Sequence, residues 1–219
     1  MLVKDCMTRH PILVSPEMPA AEAQKIMSDN KVRHLPVVGD GKKLLGLVSP
    51  ISFAIRPDSL GSLNFWEISR RLSNIKVKDV MLKQQEVITI DSDRTIERAA
   101  KTMRDNKSTY AVIIEDGVVC GILTETDLLH AFQQMLGLPS PGVRVTIRMP
   151  NRAGEFTSKL MATLTEQGWG VMGIGTFPSP KKEGYYDAVL KIPGVTVDEV
   201  KAKLSQIQDQ EVIDIRDSV

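Results

Sequence analysis

The chain has 219 residues, enough for one large domain or two ordinary ones, and its 42% apolar and 25% charged content is that of a globular protein. A net charge of +1 gives no basis for general affinity toward nucleic acid or membrane. Two cysteines, Cys6 and Cys120, are too few for a disulfide framework or a cysteine zinc site. The start, Met1-Leu2-Val3-Lys4-Asp5, does not read as a signal peptide and no apolar run approaches membrane length, so a cytoplasmic location is expected.

In chain order, residues 3–14 read as an entry segment ending in a short strand, Ile12-Leu13-Val14. Ser15-Pro16-Glu17 then opens a helix to about Asn30. A strand from Leu35 to Val38, a turn at Gly39-Asp40-Gly41 and a strand from Leu44 to Val48 follow. Gly46-Leu47-Val48-Ser49-Pro50-Ile51-Ser52 places a hydroxyl cap and a first-turn proline after an apolar strand. In residues 53–76, Pro57 and Gly61 mark a loop, and Phe65, Trp66, Ile68 and Leu72 a linking helix. Arg56, Arg70 and Arg71 read as solvated basic residues, and Trp66 as interface packing.

The same plan then repeats. Val3-Lys4-Asp5-Cys6-Met7 recurs as Val77-Lys78-Asp79-Val80-Met81, Asp29-Asn30-Lys31 as Asp105-Asn106-Lys107, and Asp40-Gly41 as Asp116-Gly117. Ile96, Ala99, Ala100 and Met103 form one helical face. A strand running to Leu123 ends in Gly121-Ile122-Leu123-Thr124-Glu125-Thr126-Asp127, with Thr124 as N-cap and Asp127 at N3. A helix start gathers unpaired N–H groups and partial positive charge, which suits a phosphate, though Thr-x-x-Asp is also an ordinary cap.

Gly137-Leu138-Pro139-Ser140-Pro141-Gly142 marks a boundary. Beyond it Val143, Val145, Ile147 and Met149 alternate with polar residues, a strand buried on one face. A turn at Asn151-Arg152-Ala153-Gly154, a helix through Phe156, Leu160 and Leu164, and strands over Trp169–Phe177 and Tyr185–Ile192 follow. Thr196-Val197-Asp198-Glu199 is a capping box opening a helix through Val200, Leu204 and Ile207, and Val212–Ile215 is the last strand. The order βαββαβ is the ferredoxin-like arrangement. The predicted class is therefore α+β, with units at 1–74 and 75–137, a linker at 138–142 and a domain at 143–219.

Several motifs do not hold. Gly168-Trp169-Gly170-Val171-Met172-Gly173 matches G-x-G-x-x-G, but a helix precedes it where a dinucleotide site needs a strand. Asp91-Ser92-Asp93 lacks the glycine of a calcium loop, since Ile96 stands in its place. His10, His34 and His130 have no metal spacing, and no metal is expected.

The repeated Val-x-Asp-x-Met, the Arg33-His34-Leu35-Pro36-Val37-Val38 strand, Asp-Gly and Gly-x-x-Ser/Thr-x-x-Asp resemble the cystathionine-β-synthase (CBS) domain, here as the tandem pair called a Bateman module. The Asn-x-x-Gly turn and the Gly168-Trp169-Gly170-Val171 entry of the C-terminal part resemble an ACT domain. The combination is similar to the AcuB-type acetoin-utilisation proteins. The resemblance implies a non-enzymatic regulator whose CBS pair binds AMP, ADP, ATP or S-adenosylmethionine. It makes Asp127 the ribose acceptor, Thr124 its hydroxyl partner and Gly121 the place of close approach, with the base near Val87-Ile88 and Tyr110 to Val112. In the first copy Gly46 and Ser49 keep their places and Ser52 replaces the carboxylate; Arg33 and His34 are phosphate candidates. Asn151 and Gly154 match an amino-acid turn at the ACT domain. A homodimer and a partner enzyme are implied, and no catalytic residue. The rivals are a ligand-independent assembly module accessory to an enzyme, and an enzyme with an unrecognised site.

Overall fold

The computed structural model describes residues 1–53, 74–138, 140–151 and 155–218, with side chains omitted at 155–157. The expected linking helix, with Arg56, Trp66, Arg70 and Arg71, lies outside the described residues, as do Arg152, Ala153 and Gly154. Contacts divide the chain into two compact units, Met1–Leu128 and Leu129–Val219.

The first unit is built from the two repeats. Each opens with a one-turn helix, α1 (Val3–Cys6) and later α3 (Val77–Val80). The motif aspartate closes each turn: the Leu2 N–H donates to Asp5 Oδ2 at 2.8 Å and the Lys76 N–H to Asp79 Oδ2 at 2.9 Å. The motif valines, Val3 and Val77, are fully buried. A two-residue strand follows each helix, β1 (Thr8–Arg9) and β4 (Leu82–Lys83).

The rest of the first repeat is α2 (Ala20–Asp29), β2 (Leu35–Val38), β3 (Leu44–Val48) and a 3-10 turn over Pro50–Phe53. The second continues with β5 (Thr89–Asp91), α4 (Ile96–Asp105), β6 (Tyr110–Glu115), β7 (Val118–Thr124) and α5 (Glu125–Met135). The expected strand Ile12–Val14 is reduced to one parallel bridge from Val14 to Val37. The helix expected from Ser15 starts at Ala20 instead. Ser15 uses its hydroxyl to accept the Glu17 N–H in a local turn, and Pro19 stands at the N-cap.

The entry strands are exchanged. β1, from the first repeat, pairs with β7 of the second (Thr8 with Ile122), giving the order β1-β7-β6-β5. β4, from the second, pairs with β3 of the first (Leu47 with Leu82), giving β2-β3-β4. The glycines make this possible. A Cβ on Gly46 would stand 2.2 Å from the Leu82 carbonyl oxygen and 2.8 Å from Met81 Sδ. One on Gly121 would stand 2.4 Å from Met7 Sδ and 3.1 Å from the Thr8 oxygen. Leu44, Leu47, Val87, Val112 and Val119 bury themselves between the two sheets.

In the second unit β8 (Gly142–Pro150), α6 (Glu155–Glu166), β9 (Gly173–Pro178), β10 (Tyr185–Ile192), α7 (Val197–Leu204) and β11 (Glu211–Ser218) give βαββαβ with antiparallel order β11-β8-β10-β9, the split βαβ arrangement. Val143, Val145, Ile147 and Met149 pack with Ala188, Leu190, Ile192, Leu160 and Leu204 in one core. The second strand starts at Gly173 rather than Trp169. Gly168 takes a φ of +68° to end α6, the Trp169 N–H returns to the Leu164 carbonyl, and pairing begins only after this turn. The box opening α7 forms as expected, with Thr196 N–H donating to Glu199 Oε2 at 2.8 Å and Glu199 N–H to Thr196 Oγ1 at 3.3 Å. Thr196→Ala is expected to lower the stability of this unit by about 1 kcal/mol, measured by thermal unfolding; an unchanged melting point would show that the cap contributes nothing here.

Candidate functional site

In the first unit, strand exchange brings residues of both repeats around one cleft of about 630 Å³. The first repeat supplies Thr8, His10, Pro11 and Ile12 after its exchanged strand, Lys31 to His34 after α2, and Ser49, Pro50 and Ile51 after β3. The second supplies Thr109, Ile122, Thr124, Glu125 and Thr126. Hydroxyls and cations thus line a volume within the usual range for small-molecule sites.

The two strand-to-turn junctions face this cleft in different states. At the second, the Thr124 N–H and hydroxyl donate to Asp127 Oδ2 at 2.8 and 2.7 Å, and the Asp127 N–H donates back to Thr124 Oγ1 at 3.4 Å. This is the capping box expected from the sequence. At the first, the Ser49 N–H donates to Ser52 Oγ at 3.1 Å, so a neutral hydroxyl takes the carboxylate's place, and the described residues of this turn, Pro50–Phe53, are 3-10. Thr124 and Ser49 line the cleft, whereas Asp127 and Ser52 fold back on their own turns and do not line it.

His34 stacks on Tyr110 of the other repeat with ring centroids 4.3 Å apart and a tilt of 35°. Burial, and then the neighbouring Arg33 charge, push His34 down to about 4, so its imidazole is neutral at pH 7. Burial raises the Tyr110 phenol above its ordinary value. His10 lines the cleft with a φ of +51°, uncommon for a residue with a side chain.

Of the expected site residues, the structure brings Thr124, Ser49, Arg33 and His34 to the cleft wall, with Tyr110 against His34. Gly46 and Gly121 are approached by the exchanged segments. Val87 and Val112 lie in the core between the sheets, and the Ile88 carbonyl accepts the Val112 N–H at 2.9 Å. None of these three is at the cleft wall. Asn151 donates its N–H to the Gly184 carbonyl and lies beside the Ser179–Gly184 loop. Sequence reasoning missed Thr8, His10, Pro11, Ile12, Lys31, Thr109 and Glu125. For those brought in by strand exchange the two-residue strands carry no periodicity, so the sequence held no signal.

Among the described residues no group of three or more His, Cys, Asp or Glu is placed to hold a metal, and no helix is long and apolar enough to cross a membrane.

A family model described as the CBS domain matches residues 3–53 and again residues 77–134. A putative acetoin utilization protein (AcuB) from Vibrio cholerae is 26% identical, covering 63% of this chain and 94% of that one, with a TM-score of 0.51. CBSX2 from Arabidopsis thaliana is 25% identical over 61% of this chain and 94% of that one, also at 0.51. A CBSX2 structure in complex with AMP, at 24% identity over 61% of this chain and 97% of that one, has a TM-score of 0.51 and shows the shared fold. The L-aspartate semialdehyde sulfurtransferase of Methanocaldococcus jannaschii is 27% identical over 132 residues, 60% of this chain. This chain spans 23% of that relative's length.

Proposed function

Residues 3–53 and 77–134 being a tandem pair of CBS domains, we propose that the chain is a non-enzymatic sensor whose cleft binds an adenine nucleotide or related adenosyl ligand. The observation that carries this reading is a cleft lined by both repeats, with Thr124 of the Thr124–Asp127 box at one wall and Arg33, His34 and Ser49 at another. A carboxylate offers two acceptor oxygens to a vicinal diol. Asp127 already accepts twice at Oδ2, while Oδ1 has no hydrogen-bond partner among the described residues and is the oxygen offered to a ribose. Ser52 has no such oxygen to offer, which makes the Thr124–Asp127 end the nucleoside end.

In this reading the split βαβ unit is an ACT-like regulatory domain, coupled to the CBS pair or to a partner enzyme. Asn151 and Gly154 are its amino-acid turn. The protein works as a cytoplasmic homodimer similar to AcuB-type proteins. Allosteric couplings of about 1–3 kcal/mol suffice for such a device. The alternative, a ligand-independent assembly module, is favoured by one observation: the Thr124–Asp127 box is already complete as a helix cap.

A thermal-shift panel of AMP, ADP, ATP, S-adenosylmethionine and free amino acids separates the two. A ligand at a hundred times its Kd stabilises by roughly 2.7 kcal/mol, a shift of several degrees, and the shift is expected to fade in Asp127→Ala. If no adenosyl ligand moves the wild type at millimolar concentration, and Thr124→Ala lowers its stability by about 1 kcal/mol without any ligand effect, the assembly module replaces the sensor.

A further inference from the structure

Resting on the adenosyl reading, we infer that this cleft selects a nucleoside phosphate over a sulfonium nucleoside such as S-adenosylmethionine, and that binding the phosphate places a proton on His34. Three observations carry this. First, among the described residues the charged side chains lining the cleft are Lys31 and Arg33, both on the segment after α2, against one carboxylate, Glu125. The balance is positive before either cleft histidine is counted, and a phosphomonoester carries about −1.5 to −2 at neutral pH. A sulfonium brings a positive charge into the same field and is repelled by it.

Second, the cations and the ribose-facing box are on opposite repeats. Lys31, Arg33, His34 and Ser49 come from the first and Thr124, Glu125 and Thr126 from the second. A ligand whose ribose sits at Thr124, with Asp127 behind it, therefore has its 5′ substituent to extend toward the first repeat's cations. The pairing is directional, because Ser52 replaces the carboxylate at the other junction and leaves one nucleoside end.

Third, among the described residues His34 has no anion beside it. Arg33 adjoins it in sequence, Tyr110 stacks on its ring from the second repeat, and Lys31, His10 and Glu125 are the other titratable groups of the cleft. Burial and Arg33 hold the imidazole neutral, its value lowered to about 4. A phosphate inserted beside it supplies the missing counter-charge and favours the imidazolium. The proton comes from solvent, so as pH falls from 7.5 to 6.0 the wild type gains affinity for a phosphate ligand relative to His34→Gln, a difference that excludes the phosphate's own titration, while affinity for adenosine shows no such gain.

The test is calorimetry on the full chain with adenosine, AMP and S-adenosylmethionine at pH 7.5 and 6.0. Buffers of different ionisation enthalpy count the protons taken up. AMP is expected to bind at least tenfold tighter than the other two, and the wild type to take up more protons on AMP binding than His34→Gln. The phosphate's own titration is common to both proteins and cancels. Arg33→Gln, at an exposed position, is expected to lose AMP preference while keeping the extra uptake, and both variants must melt as the wild type does with adenosine bound. Equal or tighter binding of S-adenosylmethionine, or equal uptake in His34→Gln, overturns this inference and leaves the adenosyl reading standing. Failure of all three ligands to bind overturns both.

Discussion

Gly46→Ala is expected to destabilise the first unit by about 3 kcal/mol, at the upper end of what overpacking usually costs. The new methyl would sit 2.2 Å from the Leu82 carbonyl oxygen. That oxygen belongs to a backbone fixed by two ladder pairs, Gly46 with Lys83 and Leu47 with Leu82, and cannot turn aside like a flexible side chain. Relief requires β4 to leave β3, which would uncover Leu47 and Leu82 from the apolar layer between the sheets. Gly121→Ala is the informative comparison. Its nearest obstacle is the end of a methionine side chain, Met7 Sδ, with backbone only at 3.1 Å. Methionine adapts readily, so about 1–2 kcal/mol is expected there. Urea midpoints followed by circular dichroism would rank the two; a Gly46→Ala midpoint equal to that of wild type would mean that β4 is not held where the structure places it.

The second large effect lies in the other unit, at Asp187. On the sheet face away from the helices, Arg148 and Asp187 are directly opposite across β8 and β10 and pair through both arms of the guanidinium, at 2.8 and 2.9 Å. The two side chains are 10% and 5% exposed. Removing one partner of a pair shielded from solvent leaves the other charge without compensation, which lowers the unit's stability. Asp187→Ala should therefore cost more than replacing both partners by apolar residues of similar shape.

The pH dependence has a definite sign. The Arg148 guanidinium holds the Asp187 carboxyl below its ordinary value of 3.8. The resulting stability is complete above the unfolded value and is lost as pH falls through the lower folded one. With Trp66 replaced by phenylalanine, Trp169, which packs against the core of this unit, reports its unfolding alone. An Asp187→Ala transition no earlier than that of wild type would show that the pair contributes nothing net.

Much of this architecture was legible wherever a local chemical rule decides the outcome. The Thr124–Asp127 and Thr196–Glu199 caps form as their spacing requires, since a hydroxyl and a carboxylate three residues apart satisfy helix N–H groups without outside help. The strands of the second unit follow from strict alternation along Val143–Met149. What the sequence hid was the destination of the entry segments. Strands of two residues carry no periodicity, so nothing in Thr8–Arg9 or Leu82–Lys83 says which sheet each joins.

The same gap explains the cleft. Val87 to Val112 looks like a ligand wall when the second repeat is imagined alone. In the structure that apolar surface is spent on the facing sheet, and Thr8 to Ile12 stand at the opening instead. Ser15 is a second instance: its hydroxyl can cap a helix or a local turn, and two prolines within four residues settle the choice.

The exchange of entry strands also sets an order of events at the ribosome. Thr8 and Arg9 emerge early, yet their partners, Ile122 and Gly121, come only as the second repeat nears completion. Until then β1 is an orphan strand, and β2, β3 and β4 lack the facing sheet that covers Leu44 and Leu47. Folding of the pair must wait for long-range closure, which is slow. The nascent first repeat is thus the stage at which aggregation or chaperone capture would strike.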